Sequence, residues 1–271
     1  MENKKNVIVI TGISSGIGET LAKKVLDTGL YHVVGIGRSD NKDLLTFENY
    51  DFYEMDLCEH RMISEVVEKI FRKHRHIDVL VNNAGFGYIG TVDDINEHEI
   101  RKQMEVNFFA PLLLSKETLI YMKKQESGHI ISISSIATVV NTPTLGIYAA
   151  SKSALKKTMD ILRNEVKGGN IKISMVSPGA VKTGFGKNMK KCKEFNNTSN
   201  IYEEWARRFK NYFKLYNTSD EVAKEVMRLI SNEKEFTNKY ISTRELLMDL
   251  LNRMLPTTAF EYLVRKVFYP L

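Results

Sequence analysis

Tyr148 and Lys152 stand four residues apart in the run Tyr148-Ala149-Ala150-Ser151-Lys152. On a helix, side chains at that spacing share one face, a single turn apart. From Ile147 to Val166 there is no Pro or Gly, and Ala, Leu, Lys and Met dominate, so a helix is expected there. A lone phenol has a pKa of about 10 and is a poor acid or base at neutral pH. An ammonium held nearby favours the phenolate, and each pKa unit is worth about 1.4 kcal/mol. Such a pair can give a proton to an alcohol or carbonyl oxygen, or take one from it. The same spacing occurs on surface helices without any chemistry, so the pair needs support from the rest of the chain.

The first turn supplies some. Thr11-Gly12-Ile13-Ser14-Ser15-Gly16-Ile17-Gly18 lies between a β-branched run and a helical stretch. Glycines there let the backbone approach a pyrophosphate and leave helix N–H groups and the positive dipole end facing it. The cofactor-binding candidates in this turn are Gly12, Ser14, Ser15, Gly16, Ile17 and Gly18. Gly12-Ile13-Ser14-Ser15-Gly16 also fits the G-x-S-x-G nucleophile elbow of α/β-hydrolases. That reading needs strands before the elbow and a histidine in a loop after a late strand. Only one strand precedes Ser14, and none of His32, His60, His74, His76, His98 and His129 is so placed.

Further candidates sit where later strands end. Gly35-Ile36-Gly37-Arg38-Ser39 closes the second strand with a cation. An acid at that position would take the ribose hydroxyls of NAD, whereas an arginine suits the 2′-phosphate of NADP. Asp40 lies close enough to blunt the distinction, and an exposed loop arginine is the alternative. Asp56-Leu57 follows the third strand, where the carboxylate could meet an adenine amino group or simply form a turn. Asn82-Asn83-Ala84-Gly85 and Ser134-Ser135 follow the fourth and fifth strands, and Ser177-Pro178-Gly179-Ala180-Val181-Lys182-Thr183 the sixth. All fall at the carboxyl edge where ligands bind in such sheets. Asn107 lies in mid-helix, an expensive place for asparagine without a role.

The elements that must hold these residues alternate strand and helix. Strands are expected at Asn6–Thr11, Tyr31–Gly37, Asp51–Met55, Ile77–Val81, Gly128–Ser134 and Asn170–Val176, with a short edge strand at Lys239–Ser242. Helices are expected at Ile17–Thr28, Glu59–Arg75, Glu97–Gln125 (bent near Pro111), around Tyr148, and at Ser219–Ser231. The result is a single α/β domain over 1–271. It is a doubly wound, Rossmann-type three-layer sandwich with a mostly parallel seven-stranded sheet and helices on both faces. Residues 187–214 read as a helical insertion covering the substrate. Arg244–Phe268 reads as a helical tail interrupted at Pro256.

Together these motifs resemble the short-chain dehydrogenase/reductase family over roughly residues 6–185. The resemblance rests on Thr11-Gly12-x-x-x-Gly16-x-Gly18, Asn82-Asn83-Ala84-Gly85, Tyr148-x-x-x-Lys152 and Pro178-Gly179 with Thr183. It implies that Ser135, thirteen residues before Tyr148, is the catalytic serine ahead of Ser134, and that Asn107 is the fourth catalytic residue. Tyr148 would be the general acid or base. Lys152 would lower its pKa and hold the nicotinamide ribose. Ser135 would stabilise charge on the reacting oxygen, and Asn107 would hold a water leading from Lys152 to solvent. The implied cofactor contacts add Arg38, Asp56, Leu57, Asn83, Ala84, Gly85, Pro178, Gly179, Val181 and Thr183. The cofactor expected is NADP, with NAD the alternative. Thr138 departs from the glycine of many members, and the turn lacks the extra basic residue common among NADP users.

The bulk properties exclude little beyond this. A net charge of +6 is spread along the chain, so no nucleic-acid groove is expected; Lys187–Lys214 comes closest, but acids interrupt it. Cys58 and Cys192 show no metal-ligand spacing, no metal is expected, and the cytoplasm fits them. Phe185, Trp205, Phe209, Phe213, Met254 and Phe260 would line a pocket for a lipophilic carbonyl or alcohol, or else pack helices onto the sheet. Family habit implies a homodimer or homotetramer through the helices of Asn107 and Tyr148. The basic tail could touch an anionic membrane surface. A non-catalytic cofactor-binding scaffold predicts gaps among Asn107, Ser135, Tyr148 and Lys152, and all four are present.

Overall fold

Alternating Val and Ile give the first strand two apolar faces, and the structure uses both. In the computed structural model, which describes residues 5–182, 189–192, 217–231 and 238–268, β1 (Asn6–Thr11) sends Val7 and Val9 to one core and Ile8 and Ile10 to the other. The sheet contains β1, β2 (Tyr31–Gly37), β3 (Tyr50–Glu54), β4 (Val79–Asn82), β6 (Gly128–Ile133), β7 (Ile171–Ser177) and β11 (Lys239–Tyr240). Its order is β11-β7-β6-β4-β1-β2-β3 and every pairing is parallel. On one face pack α2 (Arg61–His74), α4 (Ala110–Lys124) and α5 (Gly146–Glu165); on the other pack α1 (Gly16–Asp27) and α6 (Ser219–Ser231). This is the three-layer, doubly wound architecture expected, with element ends displaced by a residue or two.

Short pairs flank the sheet. β5 (Tyr88–Ile89) pairs with β9 (Lys190–Lys191), and β8 (Val181–Lys182) with β10 (Asn217–Thr218). The tail forms α7 (Thr243–Met254) and α8 (Thr257–Phe268), divided at Pro256. Phe260 and Val264 of α8 are buried with Met248 of α7 against Ile136, Val139, Val140 and Tyr240. Phe260 is therefore a packing residue, and Met254 is 79% exposed, so neither has the pocket-lining environment expected of it. Among the described residues no helix is long and apolar enough to cross a membrane. Of the 187–214 insertion only residues 189–192 are described; Trp205, Phe209, Phe213 and Phe185 lie outside the described residues.

One helix breaks where it was not expected to. The Glu97–Gln125 stretch divides into α3 (Glu97–Met104), a widened π turn over Glu105–Phe109, and α4. Pro111 sits in the first turn of α4, where its missing N–H costs little. Its ring and absent donor act on the carbonyl four residues earlier, which belongs to Asn107. The ladder opens there, at the asparagine.

The carboxyl edge is sewn together by Thr11. Its Oγ1, on a side chain that is almost wholly buried, accepts hydrogen bonds from the backbone N–H groups of Asn83 and Ala84, both at 3.0 Å. Asn83 Nδ2 donates back to the carbonyls of Thr11 (2.9 Å) and Gly12 (3.2 Å). Thr11→Val keeps the shape and strands two buried donors, so we expect a loss of about 2–4 kcal/mol. A urea unfolding midpoint unchanged by that substitution would show that the clamp contributes nothing.

Candidate active site

Because every pairing in the sheet is parallel, the loops after β1, β2, β3, β4, β6 and β7 all leave from its one carboxyl edge. Gly12 has φ +71 and Gly16 has φ +66, conformations that favour glycine. A Cβ on Gly12 would lie 2.9 Å from Ala84 Cα, and one on Gly18 would collide with the Gly12 carbonyl and Asn83 Nδ2. Ser14 and Ser15 are exposed, and Ser15, extended at φ −162, makes no side-chain cap at the start of α1. The first N–H groups of α1 therefore face the crevice without a side-chain partner, beside a backbone stripped of Cβ atoms. That cradle fits a pyrophosphate.

Around it the other cofactor candidates divide. Arg38 is exposed just past the end of β2. Asp40 is drawn away: its Oδ1 accepts from the Tyr50 hydroxyl at 2.5 Å and from the Asn41 N–H at 2.7 Å. Burial, with the bond to Asp40, pushes the Tyr50 phenol well above its ordinary range. Asp56 lies beyond β3, and its Oδ1 caps the Cys58 N–H at 3.0 Å. Leu57 is buried in the core, so only its backbone is left to offer a ligand. Asn83 spends its amide on the turn, as described above. Ala84 crowds Gly12. Val181 packs partly against the core, and Thr183 lies outside the described residues.

The four residues expected to carry chemistry come together. Tyr148 is buried in the first turn of α5, and its hydroxyl oxygen accepts a hydrogen bond from Ser135. Burial raises the Tyr148 pKa and the bond from Ser135 opposes that rise. Ser135 Oγ also accepts the Ala137 N–H at 3.1 Å, which fixes it at the head of a short 3₁₀ turn. Ser134 Oγ is buried without a hydrogen-bond partner, so the structure separates the two serines that the sequence left adjacent. Lys152, buried one turn further along α5, donates from Nζ to the Ile133 carbonyl at 2.8 Å. Burial lowers its pKa to about 8. The ammonium expected to act on the phenol is turned to the end of β6 instead, and Ser135 supplies the counterweight.

Asn107 is fully buried at the π turn. Its Nδ2 donates to the Phe86 carbonyl at 2.8 Å and to Ser151 Oγ at 3.1 Å, while Oδ1 accepts the Phe86 N–H at 3.1 Å. A Cβ on Gly85 would come 3.2 Å from Asn107 Oδ1 and 3.4 Å from Lys152 Nζ. Glycine at 85 thus keeps open a space flanked by both atoms.

Three residues escaped the sequence reading. Ser151 Oγ donates to the Tyr148 carbonyl at 2.7 Å and ties Asn107 to α5; its only signal was a small hydroxyl inside Tyr-x-x-x-Lys. Met189 Cε would lie 3.1 Å, and Tyr148 Cδ2 3.5 Å, from a Cβ on Gly87, so the start of the insertion borders the tyrosine ring. Glu245 of α7 is buried against Gly179, and nothing in the sequence linked the two.

The pattern of the short chain dehydrogenase family matches residues 6–194. The chain is 32% identical to a probable short-chain type dehydrogenase/reductase, VdlC, of Helicobacter pylori, over 96% of each. It is 36% identical to a 3-ketodihydrosphingosine reductase of Bacteroides thetaiotaomicron, over 67% of this chain and 66% of that one. A short-chain dehydrogenase structure from Streptomyces avermitilis superposes with a TM-score of 0.79 at 24% identity, covering 98% of this chain and 99% of that one. The structure of ElxO with NADP bound gives 0.76 at 27%, covering 90% and 99%. With its parallel sheet, glycine cradle and Tyr148–Ser135 contact, the chain belongs to the short-chain dehydrogenase/reductase family of oxidoreductases.

Proposed function

We propose that the protein reduces a lipophilic ketone or aldehyde with NADPH. The observation that carries the reading is the buried Ser135–Tyr148 hydrogen bond, with Ser135 following β6 at the same sheet edge as the glycine turn after β1. When bound, the nicotinamide supplies the hydride. Ser135 holds the substrate oxygen and steadies the negative charge that grows there, and Tyr148, kept protonated by its burial, donates the proton. Lys152, which donates to the Ile133 carbonyl, would hold the nicotinamide ribose of a bound cofactor and resupply the phenol with its proton. The space beside Gly85, between Asn107 Oδ1 and Lys152 Nζ, takes a water through which that proton returns.

The preference for NADPH is supported by Arg38 standing exposed while Asp40 is held by Tyr50. ElxO, with NADP in its solved structure, is in keeping with it. The substrate class is supported by the Bacteroides relative, whose name describes a long-chain keto lipid. Exposed Phe109, Ile120 and Ile161 on the helices of Asn107 and Tyr148 suit pairing between copies of the chain.

Tyr148→Phe should lower kcat by about 10³-fold or more while NADPH binding stays within about threefold. Turnover unchanged in that variant would remove the assigned acid. Arg38→Ala should weaken NADPH about 10- to 100-fold and leave NADH nearly unchanged, as loss of one charge-assisted contact predicts. Equal losses for both cofactors would end the NADPH preference. In a ketone panel, kcat/KM should rise with chain length; fastest turnover of small polar ketones would overturn the lipophilic assignment.

A further inference from the structure

At the end of the sheet opposite the crevice, three elements bring metal-ligating side chains together. His32 is the second residue of β2, Asp51 the second of β3 and His74 the last of α2. Val34 stands beside Asp51 in the parallel register, so His32, two residues before Val34, shares its face of the sheet, the face α2 covers. Both imidazoles aim Nε2 at one carboxylate oxygen. Asp51 Oδ2 lies 2.9 Å from His32 Nε2 and 3.0 Å from His74 Nε2. The two rings are 4.5 Å apart, and the three ligand atoms fall within 4.8 Å of one another. His74 Nε2 is buried and out of line for a well-formed hydrogen bond, so the cluster is not fully satisfied as it stands.

We propose that His32, Asp51 and His74 form a binding site for a divalent zinc-class metal ion, with water as the fourth ligand. Two neutral imidazoles and a carboxylate are a donor set that suits zinc and its neighbours. Metal–ligand bonds of about 2.0–2.2 Å place tetrahedral ligand atoms about 3.3 Å apart. The two N–O separations need to open by only a few tenths of an ångström, and the rings to close by a small rotation. Lys73 Nζ contacts only Asp51 Oδ1, at 2.5 Å, so Oδ2 is left to the imidazoles. His74 ends α2, where the helix dipole favours a cation. Lys73 opposes the ion by its charge, which holds the affinity to a moderate value. Bound there, the ion ties the edge strand β3 to β2 and α2, making it a structural site remote from Tyr148.

The test is titration of chelator-treated, untagged protein with Zn²⁺ against a chromophoric chelator, with Co²⁺ as the spectroscopic probe. We expect one equivalent bound at a Kd on the order of micromolar, a Tm raised by several degrees in excess zinc, and the intense visible bands of four-coordinate Co²⁺. His32→Gln and His74→Gln should each weaken binding at least about 10-fold. Lys73→Met should tighten it about 3- to 10-fold by removing a nearby positive charge. Binding of less than about a tenth of an equivalent, full binding retained in both histidine variants, or a pale six-coordinate Co²⁺ spectrum would overturn the proposal. Should a histidine variant not fold, Lys73→Met decides, and unchanged affinity there counts against the site. None of these readouts depends on the carbonyl chemistry at Tyr148.

Discussion

Asn107 grips the backbone of Phe86 through both ends of its amide and reaches Ser151 on α5. Three parts of the crevice are set by that one side chain: the segment after β4, the turn between α3 and α4, and the Tyr148 turn of α5. A fully buried amide is costly unless paired, and pairing here fixes its neighbours in turn. The opening that admits it comes from Pro111, which cannot donate to the Asn107 carbonyl and crowds it. The helix widens into a π turn over Glu105–Phe109 instead of continuing straight. A regular helix would carry residue 107 in another direction, and the grip on Phe86 would be lost.

The titrating pair shows a balance of burial against hydrogen bonding. Tyr148 and Lys152 are both deep in the protein, and burial disfavours the charged form of each, so it raises the pKa of the phenol and lowers that of the ammonium. The phenol is held protonated, the form a general acid needs, and the ammonium loses some of its hold on its proton. Ser135 works against the first of these shifts by donating to the phenol oxygen. A proton donor whose conjugate base is already hydrogen-bonded gives up its proton more readily. The serine therefore acts on the tyrosine directly, in addition to the role proposed for it at the substrate oxygen.

Much of this was legible in the sequence, for reasons that can be named. Strands buried on both faces read as continuous Val and Ile runs, and glycines at 12, 16 and 18 mark places where a Cβ would collide or φ must be positive. Helical periodicity put Tyr148 and Lys152 on one face, and the other motifs together gave the pair its expected role. The bend assigned to Pro111 was displaced because a proline acts on the carbonyl four residues before it. Asp40 looked like a rival to Arg38 until Tyr50, from the next strand, was seen to hold it. His32, Asp51 and His74 are separated in sequence without any ligand spacing, and only the β2–β3 register and the end of α2 bring them together. Long-range register is the information that local patterns lack.

The tail shows the same thing at the other boundary of the site. Residues beyond 194 lie outside the family pattern, yet Glu245 reaches back into it. Its carboxylate accepts the Ser242 N–H at 2.6 Å, closing a capping box at the start of α7, and it also accepts a hydrogen bond from the Gly179 backbone. Burial pushes its pKa up, and these backbone donors work to hold it down. Gly179 follows Pro178, whose carbonyl accepts the Ile136 N–H at 2.9 Å, and Ile136 follows Ser135. Hydrogen bonds and two peptide links thus run from the C-terminal helices to the serine that touches Tyr148. A side chain at 179 would collide with the Glu245 carboxylate, so this contact requires glycine there for space, not for φ. The tail is therefore part of the framework that positions Ser135.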